Sequence, residues 1–340
     1  MTVRKLNHWS RREILRNVGI GAGASLLGLW SGPAVADPPP ETTRLRLAKI
    51  PSICQAPQYI AESLLIAEGF TDLQYIEKPG ALGIQQMLAS GQVDINNLFA
   101  GPLITRIEAG DPIVVLAGLH IGCFELFGTE RVHSIRDLKG KSVAIWELGS
   151  AQHVFLASML AYVGVDPGKD IDWVTRPPVE SKQMLADGKV DAYLGFPPDP
   201  QELRARQIGH VVVNSVLDRP WSQYFCCMLA GNREFVQSHP NATKRALRAI
   251  LKANTICTLE PERAARYLVD RGFTASYDYA LQTMNEIPYL QWRNYSAEDT
   301  LRFYALRLRE ARLIKSNPNE IIAEGTDWRF LNQLKQELKG

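Results

Sequence analysis

Charge of either sign is scarce in excess here. The 340 residues hold 38 Lys and Arg against 36 Asp and Glu, a net charge of +2. That balance leaves no electrostatic footprint for a polyanion, so nucleic acid is excluded as a partner. Cysteine is sparse too. Cys54, Cys123, Cys226, Cys227 and Cys257 are an odd, scattered set and no disulfide framework. No Gly-x-Ser-x-Gly elbow, His-Glu-x-x-His pair or Walker loop occurs. The histidines His120, His153 and His210 are scattered. The sequence therefore predicts a protein that is not an enzyme and carries no cofactor. A long apolar run is also missing. Asn17 to Trp30 is the nearest approach, and it is glycine-rich and shorter than the ~20 residues a membrane span needs.

That short run has a meaning of its own. Ser10-Arg11-Arg12-Glu13-Ile14 precedes it, and Ala34-Val35-Ala36 follows it. Two adjacent arginines, a weakly apolar stretch and a small-x-small cleavage site predict a twin-arginine signal peptide over residues 1–36. The Gly19-x-Gly21-x-Gly23 pattern falls inside it. The mature chain begins near Asp37, is destined for the periplasm, and has no cysteine next to the cleavage site to carry a lipid. Twin-arginine export carries folded proteins, so the thiols are reduced while the fold forms. With 46% hydrophobic and 22% charged residues, the remaining ~300 residues suffice for two lobes or one large domain.

A near-repeat organises the mature chain. Residues 86–94 read Gln-Met-Leu-Ala-Ser-Gly-Gln-Val-Asp and residues 183–191 read Gln-Met-Leu-Ala-Asp-Gly-Lys-Val-Asp. In each copy a helix ends at a glycine suited to the left-handed C′ position, and a short strand follows. Upstream of each lies another strand, Leu73–Glu77 or Ile171–Thr175. Such alternation predicts parallel sheets covered on both faces. Leu45–Ile50 has strand periodicity. The unbroken apolar run Ile113–Leu119 predicts a fully buried strand. Tyr224–Ala230 predicts a returning strand. From Pro240 onward the chain is mostly helical, with Ser296 as an N-cap before Glu298 and Asp299.

Four segments in this order resemble the periplasmic binding proteins for nitrate, sulfonate, taurine and thiamine-pyrimidine precursors. They are Leu88–Asp94, Glu108–Ile113, Asp137–Lys141 and Leu185–Asp191. The resemblance implies a type II periplasmic-binding-protein fold of the α/β class, two lobes joined by two crossing hinge strands, with the C-terminal helices packed on lobe one. It assigns residues 41–122 and 225–340 to lobe one and 123–224 to lobe two. It also implies a monomer that hands a small solute to the permease of an ABC importer.

Ligands of open parallel sheets bind beyond the carboxyl ends of the strands. In lobe one the loops at such ends hold Cys54, Gln55, Tyr59, Gly80, Ala81, Asn97, Phe99 and Gly101. Those of lobe two hold Ser150, Gln152, Phe196 and Asp199, and the crossings bring Cys123, Glu125, Tyr224 and Cys226. The loops lack Arg and Lys, so the guanidinium fork often used for sulfonate or nitrate is missing. Acids and aromatics are present. The expected guest is a neutral or cationic compound with a flat, nitrogen-bearing ring, stacked on an aromatic and bonded to Asp199 or Glu125. A sulfonate- or nitrate-type anion held by helix N-termini is the alternative, and a pyrimidine-forming enzyme of the same fold is a further one. Cys54, Cys123 and one of Cys226 or Cys227 could face the cleft together. Three thiolates would suit Cu(I) or Zn. Strand alternation sends Cys226 and Cys227 to opposite faces, no Cys-x-x-Cys occurs, and no metal is assigned; packing or a cross-strand disulfide after export are the other readings.

Overall fold

The computed structural model describes residues 37–50, 52–77 and 83–338. Residues 1–36, where the sequence predicts a signal peptide, and the expected site residues Gly80 and Ala81 lie outside the described residues. The chain opens with β1 (Arg44–Lys49), a 3-10 turn at Ile53–Gln55, α1 (Ala56–Ile60), α2 (Glu62–Ala67) and β2 (Asp72–Glu77). Then come α3 (Gly83–Ala89), β3 (Ile95–Phe99), α4 (Ala100–Glu108) and β4 (Ile113–Ile121). A second run holds β5 (Glu125–Gly128), β6 (Lys141–Ile145), α5 (Ala151–Tyr162), β7 (Ile171–Thr175), α6 (Pro178–Ala186), β8 (Ala192–Gly195), α7 (Asp199–Ala205) and β9 (His210–Asn214). The chain returns through β10 (Phe225–Asn232) into α8 (Arg233–Ser238), α9 (Pro240–Leu259), α10 (Pro261–Asp270) and α11 (Tyr277–Glu286). It finishes with α12 (Ala297–Glu310), α13 (Pro318–Gly325) and α14 (Arg329–Glu337). No helix among the described residues is long and apolar enough to cross a membrane.

Two α/β lobes result. In one, β1 pairs with β2 in parallel, and β3-β10-β4 form an antiparallel sheet. In the other, five strands run in the order β7-β6-β8-β5-β9. The alternation of strands and helices predicted parallel pairing throughout, and it holds for β1-β2 and β7-β6-β8. β5 and β10 are antiparallel to their neighbours. Each enters its sheet straight from a crossing, without the helical return that makes neighbouring strands parallel.

The near-repeat performs the same task in both lobes. Gly91 (φ 68) and Gly188 (φ 66) take the left-handed turn that ends α3 and α6. The aspartate closing each copy then pins an earlier strand of its lobe, β1 or β6. Asp94 Oδ2 accepts from the Arg46 backbone N–H at 2.7 Å, and Asp191 Oδ2 accepts from that of Ser142 at 2.9 Å. Each also pairs with an arginine: Asp94 with Arg46 at 2.5 Å, Asp191 with Arg131 at 2.6 Å.

All nine residues of β4 are buried, as their apolar run predicts. Beyond it the chain crosses between lobes at Gly122 (φ 65) and Cys123 (φ 125). A Cβ on Gly122 would sit 2.3 Å from Val216 Cγ2, so only glycine fits there. The C-terminal helices cover the first lobe. α9 buries Ala246, Leu247, Ile250, Ala253 and Cys257 on one stripe, and Asn254 Nδ2 donates to Leu119 O at 3.1 Å. Ser296 caps α12 as expected, accepting from Asp299 N at 3.1 Å.

Candidate functional site

A pocket of about 40 Å³ opens between the two lobes. Its polar wall is four amide side chains, Gln55, Gln85, Asn97 and Gln152. Phe99, Trp146 and Phe196 supply aromatic surface, and Ile50, Ile84, Leu98 and Ala151 complete the lining. Among the described residues no charged side chain takes part. The residues stand where strands end and helices begin. β3 ends at Phe99 and runs into α4; Gln152 lies in the first turn of α5, behind the N-cap Ser150. Two helix starts therefore direct backbone N–H groups and positive dipole ends toward this region.

Hydrogen-bonding capacity is left over in this wall. Gln55 Oε1, Gln85 Oε1, Asn97 Oδ1 and Gln152 Nε2 are buried with no partner. Asn97 is oriented by its surroundings: its Nδ2 donates to Cys54 O at 3.1 Å, which leaves Oδ1 as an acceptor. Its backbone N–H donates to Gln58 Oε1 at 2.8 Å, and Gln58 Nε2 donates to Ala48 O at 3.0 Å. The aromatics form a chain across the gap. Phe99 lies 5.0 Å from Phe124 and 5.1 Å from Phe196, and Phe124 stacks on Phe155 at 4.4 Å.

Of the residues expected at the site, Gln55, Asn97, Phe99, Gln152 and Phe196 meet in this pocket. Five others have structural partners of their own. Tyr59 stacks on Phe273 at 3.8 Å, and its hydroxyl bridges the N–H and C=O of Ile50 at 2.7 and 3.0 Å. Gly101 is the contact between α4 and α5, where an added Cβ would fall 2.8 Å from Val154 Cγ1. Tyr224 stacks on Phe303 of α12 at 4.0 Å. Asp199, expected to bond the guest, is committed to Lys182 at 2.8 Å and to the Tyr193 hydroxyl at 2.5 Å. Burial works to lower the Lys182 pKa, but Asp199 and Glu202 outweigh it and raise it. Ser150 is buried as a cap and accepts from His153 N at 3.4 Å.

Glu125, the other acid expected to bond the guest, pairs with Arg204. Burial raises the Glu125 pKa and Arg204 offsets part of that. A second, smaller recess holds it with Cys123, Gln201 and Glu286. Here the lobes are tied: Arg204 Nη2 donates to Glu286 Oε1 at 2.6 Å, and Gln201 Nε2 donates to Glu286 Oε2 at 3.0 Å. Across the gap, Ile53 N also donates to Pro197 O at 3.3 Å.

Ile50, Ile84, Gln85, Leu98, Trp146 and Ala151 are the lining residues that the sequence-based expectation of the site lacks. Trp146 directly follows β6. That place is the signal that could have found it, since strand carboxyl ends carry the site in such sheets.

The hinge cysteines differ most from expectation. Alternation predicted opposite faces for Cys226 and Cys227, yet their sulfurs lie 3.5 Å apart. The register between β10 and β4 shifts around Cys226: Phe225 pairs with Ile121 and Cys227 with His120, leaving Cys226 as the extra residue. A bulge of this kind turns successive side chains toward one side. Cys226 Sγ also contacts Gly122 O and lies 2.8 Å from Cys123 Sγ. All these thiols are buried. Burial works to raise the Cys227 pKa, but hydrogen bonds from Cys123, Cys226 and Cys54, with His120 beside them, bring it well below the ordinary thiol range.

The chain is similar to several known binding proteins. The bicarbonate-binding protein CmpA of Synechococcus elongatus is 28% identical over 124 residues, 36% of this chain and 27% of that protein. The chain thus spans about a quarter of that relative's length. The nitrate/nitrite binding protein NrtA of Nostoc is 26% identical over 301 residues, 74% of this chain and 67% of the other. Among solved structures, the periplasmic nitrate-binding protein NrtA from Synechocystis superposes with a TM-score of 0.72 at 17% identity, covering 88% of this chain and 90% of that one. That likeness fixes the fold as the periplasmic-binding-protein type. Residues 38–269, more than half of the sequence, match a single family model, and the chain belongs to the NMT1-like family.

Proposed function

We propose that this chain is the periplasmic solute-binding component of an ABC importer, and that its guest is a small, flat, uncharged compound with a nitrogen-bearing ring. One observation carries the choice of guest. The pocket wall holds three unpartnered amide oxygens and one unpartnered amide nitrogen, with no charged side chain among the described residues. A guest with ring N–H groups satisfies those acceptors, and each buried group left unmet costs ~1–3 kcal/mol. Phe99, Trp146 and Phe196 offer faces for the ring. On this reading residues 41–122 with 225–340 form one closing lobe and 123–224 the other. The solute passes unchanged to a permease, after export of the chain by its twin-arginine signal. Similarity to binding proteins supports the absence of catalysis.

A second reading has its own support. Two helix starts border the pocket, its volume is small, and relatives are named for nitrate and bicarbonate. A small planar oxyanion suits that arrangement. Thermal unfolding of the mature protein with uracil, cytosine, nitrate, bicarbonate and taurine separates the two. A neutral base at a hundredfold over its dissociation constant should add ~2.7 kcal/mol of stability. The neutral-ring reading fails if the oxyanions stabilise the protein and the bases do not. Recovery of a converted product would overturn the binding-protein reading itself.

A further inference from the structure

We infer that His120, Cys226 and Cys227, with Cys123 beside them, form a binding site for one thiophilic d10 metal ion, Cu(I) or Zn(II), in the hinge. The site is separate from the solute pocket and goes beyond the reading above. Its donor atoms converge. One ligand atom each from His120, Cys226 and Cys227 lies within 4.8 Å of the others. Cys226 Sγ is 3.5 Å from Cys227 Sγ and 3.9 Å from His120 Nδ1. A tetrahedral ion with metal–sulfur bonds near 2.3 Å and metal–nitrogen bonds near 2.0 Å sets its ligands ~3.5–3.8 Å apart. The observed separations straddle that spacing. Cys123 Sγ, 2.8 Å from Cys226 Sγ, is placed to act as a fourth donor after a small outward shift.

The ring of His120 is set for this role. Its Nε2 lies 3.1 Å from Cys54 O, to which it donates. A ligating histidine characteristically donates its other N–H to a carbonyl, which fixes the tautomer. Nδ1 lies 3.9 Å from Cys226 Sγ and 3.3 Å from Ile121 O, so an ion bound there displaces the Ile121 contact and the Nδ1 proton that makes it. The bulge is the second device. Without the extra residue, alternation would aim one of the two sulfurs away. Every member is buried: His120 and Cys227 are 0% exposed, Cys226 2% and Cys123 4%. Sulfur and imidazole donors in a dry site select soft ions over Mg or Ca. Binding replaces thiol protons and the Nδ1 proton, which leave to solvent, and involves no electron transfer. The ion would join the crossing after β4 to the start of β10, the two strands that link the lobes.

The test uses the mature chain, reduced and kept anaerobic, incubated separately with Zn(II), Cu(I) and Cd(II), then desalted. Metal content by mass spectrometry should approach one ion per chain, and Cd(II) should give a thiolate charge-transfer band. Retention of copper against a chelator that strips zinc assigns Cu(I), and the reverse assigns Zn(II). Cys226→Ser and Cys227→Ser should weaken retention at least tenfold. Cys257→Ser, which alters a thiol in α9, should keep one ion. If the serine variants do not fold, His120→Asn is measured in their place, alongside the cadmium band of the Cys257→Ser protein. A protein whose five thiols all react after denaturation but which retains none of the three ions overturns the inference. So does equal retention by the wild type and the hinge variants.

Discussion

Acid should find this protein through His153. The side chain is 8% exposed and sits in the first turn of α5, where its Nδ1 accepts from Gly149 N at 3.0 Å. Its ring meets Trp173 edge to face at 4.9 Å. Burial alone pushes its pKa down to about 4. Protonation would cost the Gly149 bond and set a positive charge at a helix N-terminus, which the dipole disfavours. The folded-state pKa is depressed, so the unfolded chain binds the proton first. The neutral ring's contribution is complete above the ordinary value of ~6.5 and is lost as pH falls toward 4. At 1.36 kcal/mol per unit, the loss from this group is about 2 kcal/mol by pH 5 and about 3 kcal/mol by pH 4. The perturbation is His153→Gln, compared with wild type by urea unfolding from pH 7.5 to pH 4.5. The variant starts less stable, having lost ring packing and the Gly149 bond. Its curve should then be flatter, so the gap to wild type closes by about 2 kcal/mol by pH 5. Two parallel curves would refute the reasoning, because the remaining titrating groups are shared.

Three further outcomes are expected. Asp199→Ala strips Lys182 and Tyr193 of a buried partner while Glu202 remains; it should cost ~2–4 kcal/mol and lower the melting temperature by roughly 4–10 °C in calorimetry, with solute affinity unchanged. An affinity loss at constant stability would restore Asp199 to the binding site. Tyr59→Phe leaves the Ile50 N–H without its bridge and should cost ~1–3 kcal/mol in denaturant unfolding; a neutral effect would mean that water replaces the hydroxyl. Glu286→Gln weakens the part-exposed tie to Arg204, worth ~0.5–1 kcal/mol, so the solute found by screening should bind roughly two- to fivefold more weakly by calorimetry if the tie belongs to the closed state, and tighter binding would assign it to the open one.

Local rules made much of the fold legible. Alternation located β1 and β7 within a residue, glycine located the ends of α3 and α6, and Ser296 announced its own helix. The pocket was legible at the level of loops, because strand carboxyl ends concentrate there. Side-chain allegiance was not. Tyr59 is drawn away by Phe273, more than two hundred positions along the chain, and Asp199 by a buried lysine on α6. No local pattern encodes such partners. The bulge at Cys226 escaped for a related reason: it is a property of register between β10 and β4, two strands a hundred residues apart.

The paired aspartates bear on how the molecule is made. Asp94 grips a strand 48 positions upstream, and Asp191 grips one 49 upstream. Every strand of the five-stranded sheet comes from residues 125–214, whereas the sheet holding β3 and β4 needs β10 between them. During synthesis the middle segment can therefore complete its sheet first. The amino-terminal half must wait, partly formed, until the chain comes back to fill the vacant seat between two of its own strands.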